Sequence, residues 1–564
     1  MNNTINDLTV MLAGEAGAGV QSTEAILSSV MKKAGYNVFA TKEYMSRVRG
    51  GTNSTTIRVS ENRISNRWGA PDVFIPFDLA AYNRYKPELL ENTIVIADTT
   101  IVKGSNILHL GFNEISLSIG NIIYASMVVA GAITGFTGAD LEILKSYIAK
   151  QFETKDEKVI ADNIKAAEIG YTEGKKIADQ TGLKIEIKKN DYVKDDILIS
   201  GSESVALGAL AGGCDAVFSY PMTPGTGVFT ALAGWGRKAG VVVEQVEDEI
   251  GVINMAIGSW YAGGRAIVST SGGGFALMTE GISLSGMTET PVVVHLAQRP
   301  GPATGLPTRT EQGDLNLALY AGHGVFGRVI FTPGNLEQGY ELTRYAFDIA
   351  DKYQSPVIIL TDQYFTDAYY NTPEFKIYPP HQKHIVEAKE EYKRYDLKDG
   401  VLSPRSVPGF GTGRICVDSD EHDESGRISE DINGIVTKMK NKRFGKFALL
   451  QDIALAPDLY GGDDYETLFV CWGSVLSIAL EAVRKIEKKV ALLHFKQVYP
   501  VAQTALNYFK KAKKIVMIEN NQTAQFRNLI EHEFELKISD TILKYNGLQF
   551  TADELYIKIK ENIK

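Results

Sequence analysis

Between residues 215 and 362, short and solidly apolar runs alternate with longer segments of helical period. AVFSY, VVVEQV, RAIVST, PVVVHLA, GRVIFT and SPVIILTD read as strands. VFTALAGWGRKAG, IGVINMAIGSWYAG, FALMTEGISLSGM and an amphipathic stretch near 336–352 read as helices. A strand without a polar face has both faces covered, and strand–helix alternation joins parallel neighbours through crossover helices. The pattern predicts a parallel sheet with helices on both sides. Such sheets build their sites where strands end and helices begin. Three features occupy those places. The turn Tyr220-Pro221-Met222-Thr223-Pro224 follows a strand. The acids Glu244, Glu247, Asp248 and Glu249 lead into a helix of small residues, and the strand Pro291–Ala297 delivers Arg299. A hydroxyl, a carboxylate and a guanidinium placed this way suit an acid–base step on a substrate that carries a carboxylate.

The remainder divides by composition. Residues 1–190 read as one α/β domain: the strand LTVMLAG, the glycine turn GEAGAGV and the amphipathic helix QSTEAILSSVMKKAGY. Strand, glycine turn and helix form the layout of a phosphate-binding turn. The spacing Gly14, Gly17, Gly19 departs from the G-x-G-x-x-G of dinucleotide binders, which speaks against nicotinamide. A tight turn that needs glycine dihedrals is the competing reading. Arg47 and Arg49 precede Gly50-Gly51 and the alternating strand TNSTTIRVS, as anion ligands or as surface charge. Residues 376–460 are first charged, then rich in Gly, Pro, Ser and Asp, and read as an irregular connector or arm. Within them Glu421-His422-Asp423-Glu424 reads as a solvated loop, because no second His or Cys stands at ligand spacing. Residues 461–564 form another α/β unit.

A length of 564 residues suggests three to four domains. The formal charge of −9 and the lack of a long basic run argue against a nucleic-acid partner. Cys214, Cys416 and Cys471 are far apart with no C-x-x-C, so the sequence holds no recognisable iron–sulfur or zinc site and suits a reducing cytoplasm. The start MNNTINDLTVMLAGEAG has neither a basic n-region nor a long apolar core, and no apolar run is long enough for a membrane span.

YPMTP, EDEIG, TSGGGFALM and a strand ending in AQR follow one another in an order that resembles the pyrimidine-binding domain of the 2-oxoacid:ferredoxin oxidoreductases. The resemblance covers nearly the whole chain. It implies a multidomain α/β protein: a gamma domain at 1–190, a pyrimidine-binding (alpha) domain at 191–375, the connecting arm at 376–460 and a transketolase C-terminal-like domain at 461–564. It implies thiamine diphosphate as cofactor and oxidative decarboxylation of a 2-oxo acid with CoA, giving acyl-CoA, CO2 and reduced ferredoxin. Glu249 matches the family's acid, which shares a proton with the cofactor's aminopyrimidine ring. Such a carboxyl must be partly desolvated to titrate in the working range. The competing role for Glu249 is to complement a helix N-terminus. Thr223 and Arg299 match the substrate-binding pair, and arginine grips a carboxylate with two donors. Tyr220, Pro221, Thr223, Glu249, Gly273 and Gly274 would line the cofactor. Gly17, Gly19, Arg47 and Arg49 are candidate anion or CoA contacts, and Arg309 could reach a distal carboxylate.

The sequence also departs from the family pattern. TSGGGFALM differs from the commoner forms at Gly273, and Ala524-Gln525 stands where the family usually has Gly-Gln, which weakens a phosphate or CoA role there. Thiamine diphosphate enzymes hold Mg2+ with a Gly-Asp-Gly; none occurs here, and Gly462-Asp463-Asp464 does not match. No metal site is therefore assigned to this chain. The expectation is a fused gamma–alpha subunit whose beta partner carries the Mg2+ site and a [4Fe-4S] cluster, in an (alpha-beta)2 assembly. The fused order and TGLPTRTEQGDL tilt the substrate toward 2-oxoglutarate, with pyruvate or branched-chain oxo acids as alternatives. A non-redox thiamine-dependent decarboxylase subunit and a non-catalytic nucleotide- or CoA-binding scaffold are the readings from other classes.

Overall fold

The computed structural model describes residues 4–45, 51–104, 106–398 and 400–563. The chain forms two compact units, one of Met1–Ser200 with Asp367–Glu374 and Thr551–Glu554, the other of the remaining residues.

The first unit is built on an eight-stranded sheet. Ile107–His109, Ile94–Ala97, Val73–Pro76 and Asp7–Glu15 run parallel, and Thr52–Ser60, Asn37–Glu43, Tyr369–Thr372 and Ile197–Ser200 continue the sheet antiparallel. Strand Thr52–Ser60 is mostly polar, yet it is buried along most of its length because it lies inside the sheet. Its polar groups are paired. Thr55 Oγ1 donates to Glu24 Oε2 at 2.6 Å, and Arg58 grips Asp7 at 2.7 and 2.8 Å. Helix Val20–Lys33 follows the glycine turn. Helices Ala125–Phe136 and Glu157–Thr181 pack closely, since a Cβ at Gly131 or Gly174 would run into the carbonyl of Ala167 or Ala132.

One aspartate fixes the base of the glycine turn. Asp78 Oδ1 caps its helix by accepting from Ala81 N at 2.7 Å, and Oδ2 accepts from Glu15 N at 2.8 Å. Asp78→Ala removes both acceptors and is expected to cost about 1–2 kcal/mol, the upper range for a lost cap. Denaturant unfolding monitored on this unit checks the value; a change within about 0.5 kcal/mol, usual for a surface substitution, would remove Asp78 from this role.

The second unit contains two sheets. In the seven-stranded sheet Val242–Gln245, Ala216–Ser219, Ala266–Thr270, Val292–Gln298, Pro356–Asp362 and Val329–Phe331 are all parallel, and Gln497–Tyr499 adds an antiparallel edge. The five-stranded sheet orders Asp458–Gly461, Val490–Phe495, Thr467–Trp472, Lys514–Glu519 and Asp540–Leu543. VALLHFKQVYPV reads as one strand in sequence. It breaks at Lys496, so that Val490–Phe495 serves one sheet and Gln497–Tyr499 the other.

The stretch 376–460 has few regular elements but includes the 18-residue helix Ile435–Asp452. Polar contacts anchor it. Lys442 and Lys446 both reach the buried carboxylate of Glu289, at 2.6 and 2.5 Å, and Arg394 donates to the Glu289 carbonyl at 2.7 Å. Burial pulls the Lys446 ammonium down to about 7, against the opposing pull of Glu289. The Glu421–Glu424 segment corrects the sequence reading. It is no solvated loop: His422 is fully buried against Tyr395 with ring centroids 4.1 Å apart, and Glu421 forms a two-pronged pair with Arg443 at 2.7 and 2.9 Å.

Candidate functional site

Strands Ala216–Ser219, Ala266–Thr270 and Val292–Gln298 are parallel neighbours, so the turns that leave their C-terminal ends gather on one side of the sheet. A buried polar chain fixes those turns from below. Ser219 Oγ donates to Ser269 O at 2.7 Å, and Ser269 Oγ donates to Gly225 O at 2.6 Å. His295 lies 2.9 Å from Ser269 Oγ through Nδ1 and 2.8 Å from Thr361 Oγ1 through Nε2. Burial lowers His295 to about 3, so the ring is neutral near pH 7. Because Ser269 spends its proton on Gly225, Nδ1 carries the hydrogen and Nε2 accepts from Thr361. The Tyr220–Pro224 turn, with a cis Thr223–Pro224 bond, is thus tied to the centre of the sheet.

Glu249 begins the helix Glu249–Tyr261, and the structure separates its two readings. Capping falls to Asp248, whose Oδ1 accepts from Gly251 N at 2.8 Å. The Glu249 side chain turns inward, 4% exposed, and its Oε1 has no hydrogen-bond partner. A buried carboxylate oxygen without a donor is costly unless something else supplies one. The oxygen points at the glycines that open the short helix Gly272–Leu277. A Cβ at Gly274 would lie 2.6 Å from Glu249 Oε1 and would run into Thr270 Oγ1. Gly273 faces open space, with Met222 Sδ at 3.9 Å and Ala303 O at 4.0 Å as the nearest atoms to an added Cβ. Ser271 Oγ and Asp314 Oδ2 are buried beside the same glycines and also lack partners. Gly274→Ala is expected to cost about 1–3 kcal/mol of overpacking and to displace Glu249, lowering activity roughly tenfold or more. Steady-state rates together with thermal unfolding check this; wild-type values in both would place Gly274 away from the acid.

Arg299 and Thr223 come together, through the backbone of the threonine. Arg299 Nη1 donates to Thr223 O at 2.7 Å. The guanidinium is half-buried; burial lowers its pKa and nearby Asp314 raises it. Within the turn Pro221 is exposed and Tyr220 and Met222 are half-buried. Glu244 and Glu247 are exposed and do not join the site.

Several residues of this neighbourhood carry no sequence signal. Gln298 accepts from Asp314 N through Oε1 at 2.9 Å and donates to Thr361 O at 3.0 Å. Gln312 exchanges two bonds with the Asn520 backbone, at 2.7 and 2.9 Å, and donates to Trp472 O at 2.9 Å. Gln525 donates to Gly313 O at 2.8 Å and accepts from Asn316 N at 2.9 Å. Trp472, Asn520 and Gln525, at strand ends of the five-stranded sheet and the start of helix Gln525–Phe534, thereby hold the 310–314 loop and the start of helix Leu315–Leu319. Ala524 adopts φ 50°, a left-handed conformation that suits glycine and explains why that residue is usual there.

Gly17 and Gly19 take φ 94° and 89°, as the tight-turn reading requires. Arg47 and Arg49 lie outside the described residues. Arg309 is half-buried beside Gly547. Among the described residues no group of three His, Cys, Asp or Glu could hold a metal ion, and no helix is long and apolar enough to cross a membrane.

An α/β subunit with an orphaned buried acid beside a run of glycines matches two sequence families. One, described as pyruvate flavodoxin/ferredoxin oxidoreductase, thiamine diphosphate-binding, matches residues 207–441; the other, pyruvate ferredoxin/flavodoxin oxidoreductase, matches residues 9–173. The alpha subunit of a 2-oxoacid:ferredoxin oxidoreductase from Sulfolobus is 27% identical, over 97% of this chain and 96% of its own length. A 2-oxoglutarate synthase subunit KorA from Methanocaldococcus jannaschii is 33% identical, over 57% of this chain and 88% of its own. A solved 2-oxoglutarate:ferredoxin oxidoreductase from Magnetococcus marinus, with 2-oxoglutarate, coenzyme A and succinyl-CoA bound, superposes with a TM-score of 0.92 at 27% identity, over 99% of this chain and 100% of that one. The chain belongs to the 2-oxoacid:ferredoxin oxidoreductase family. It is an oxidoreductase subunit of the alpha type, with a thiamine diphosphate-binding domain. The resemblance carried by YPMTP, EDEIG and TSGGGFALM and the expected multidomain α/β fold are confirmed.

Proposed function

We propose that this chain is the fused gamma–alpha subunit of a 2-oxoglutarate:ferredoxin oxidoreductase, converting 2-oxoglutarate and CoA to succinyl-CoA and CO2 while ferredoxin takes the electrons. The substrate is supported by the 2-oxoglutarate synthase relatives and by the ligands named for the solved neighbour. The observation that carries the chemistry is the buried Glu249 Oε1, unpartnered beside the glycines that open helix Gly272–Leu277, of which Gly273 is exposed.

Thiamine diphosphate, when bound, supplies the electron sink for decarboxylation. This chain contributes the rest of its half-site. Glu249 holds and moves a proton at Oε1 toward the aminopyrimidine. Arg299 draws in the substrate carboxylate with the donors left free by Thr223 O, and the Thr223 hydroxyl adds a neutral hydrogen bond. Tyr220, Pro221, Gly273 and Gly274 would line the cofactor. Gly17, Gly19, Arg47 and Arg49 remain the candidates for anion or CoA contact. The domains in this reading are gamma 1–190, alpha 191–375, arm 376–460 and transketolase C-terminal-like 461–564.

The Mg2+ site and a [4Fe-4S] cluster belong in this proposal to a beta subunit, in an (alpha-beta)2 assembly that meets ferredoxin. The support is the missing Gly-Asp-Gly and C-x-x-C. Exposed apolar side chains on the site's own elements, Val242, Ile250, Met255, Leu277 and Leu306, suit a covering subunit. A cytoplasmic location accords with Cys214, Cys416 and Cys471 as free thiols. The test is co-purification with the beta subunit, metal analysis and an assay of oxo-acid- and CoA-dependent reduction of an artificial acceptor. Turnover that favours 2-oxoglutarate is expected. A preference for pyruvate or a branched-chain oxo acid would reassign the substrate, and no turnover with any oxo acid would overturn the function.

A further inference from the structure

Gln298 ends the strand Val292–Gln298 and directly precedes Arg299. It is fully buried, and both ends of its side-chain amide are committed to backbone groups. Nε2 donates to Thr361 O at 3.0 Å, on the neighbouring strand Pro356–Asp362. Oε1 accepts from Asp314 N at 2.9 Å, 16 positions further along the chain. The second bond closes a loop. Residues 299–313 leave the strand at Arg299 and return at Asp314, and the Gln298 amide joins the two limbs at their base.

The loop carries groups of the site. Arg299 stands at its first position and donates to Thr223 O at 2.7 Å. Residues 301–306 are exposed, and Ala303 O lies 4.0 Å from where a Cβ on Gly273 would stand. The returning limb is anchored away from Arg299: Thr310 N donates to Gly547 O at 3.1 Å, Gln312 pairs with the Asn520 backbone, and Gln525 Nε2 donates to Gly313 O. Gln298 ties the outgoing limb to this anchored one. Thr361 links the loop to the opposing turn as well. Its carbonyl holds Gln298, and its hydroxyl donates to His295, the base of the chain through Ser269 to Gly225 O. Both partners of the Arg299–Thr223 contact are therefore referred to one buried residue.

We propose that Gln298 is a positioning residue for oxo-acid binding, whose amide, bonded at both ends, holds the base of the 299–313 loop so that Arg299 meets the substrate carboxylate in a fixed plane. The inference rests on the assignment of Arg299 to that carboxylate. A guanidinium grips a carboxylate with two donors only when its plane is set, and a loop free at its base does not set it. An apolar side chain of the same length leaves the Asp314 N–H without its acceptor. Asparagine keeps the amide but is one methylene too short to reach Thr361 O and Asp314 N together. Glu249 stands on a different element, the helix Glu249–Tyr261, whose cap is Asp248, so its proton step does not depend on this loop.

The experiment uses the complete complex with its beta subunit and saturating thiamine diphosphate. Two quantities are read: kcat/KM for 2-oxoglutarate with CoA and an artificial acceptor, and deuterium exchange at C2 of the bound cofactor without substrate. Gln298→Met should lower kcat/KM by about 10- to 100-fold, the scale of a misplaced binding group, while C2 exchange stays within about threefold of wild type. A general loss of structure would lower both together. Gln298→Asn should show the same split, and it carries the test if the methionine variant assembles poorly. In an Arg299→Lys background the Gln298 substitution should change kcat/KM by less than about threefold, because its effect passes through the guanidinium. Unchanged kcat/KM in either Gln298 variant, exchange lost in step with kcat/KM, or a full effect that persists beside Arg299→Lys overturns the inference alone. No turnover of any oxo acid by the wild-type complex would instead overturn the functional reading and the inference with it.

Discussion

Glu249→Gln should leave the assembled complex and its cofactor content intact while turnover falls by about 10²- to 10⁴-fold, the range set by general acid–base catalysis. The amide preserves shape and volume, and Asp248 keeps the helix cap, so the change isolates the loss of an exchangeable proton at Oε1. A capping role for Glu249 would predict the reverse pattern, with lower stability and little loss of rate. Acceptor-reduction rates and cofactor titration of the purified complex separate the two. Turnover within about threefold of wild type would return Glu249 to a structural role.

Arg299→Lys should lose about 2–4 kcal/mol of transition-state stabilisation, roughly 30- to 1,000-fold in kcat/KM. One guanidinium donor is already committed to Thr223 O, and the planar fork leaves others for a carboxylate. A lysine offers a point charge on a flexible stem and cannot hold both partners in one plane. Thr223→Ala should cost less. The carbonyl that receives Arg299 survives the substitution, so only a neutral hydroxyl contact is lost, worth about 1 kcal/mol. Cofactor affinity should survive both changes. Equal kcat/KM for wild type and Arg299→Lys with every oxo acid tried would remove Arg299 from the site.

The sheet of the second unit was legible because its strands are apolar on both faces, which the covered parallel arrangement demands. Glu249, Arg299 and the Tyr220–Pro224 turn were legible for a related reason: they stand where such strands end. The supporting residues were not. Gln525 meets Gly313 across 212 positions, and Gln312 meets Trp472 across 160, separations at which local pattern carries no information. Asp314 looks like an ordinary helix cap in sequence, and only its unbonded side chain shows otherwise. His422 sits among acids and reads as solvated, but the pairing of Glu421 with Arg443 and the face of Tyr395 draw it inside. The run 490–501 is divided between two sheets at Lys496, a tertiary demand with no local marker.

The most direct test of Glu249 as this chain's acid is deuterium exchange at C2 of thiamine diphosphate bound to the complex, wild type against Glu249→Gln, measured by quenched-flow NMR without substrate. The exchange reports the proton-moving step separately from substrate binding, CoA and electron transfer. Fast exchange in wild type and a loss of about 10²-fold or more in the variant is the expected result. Equal exchange in the two proteins would contradict the account.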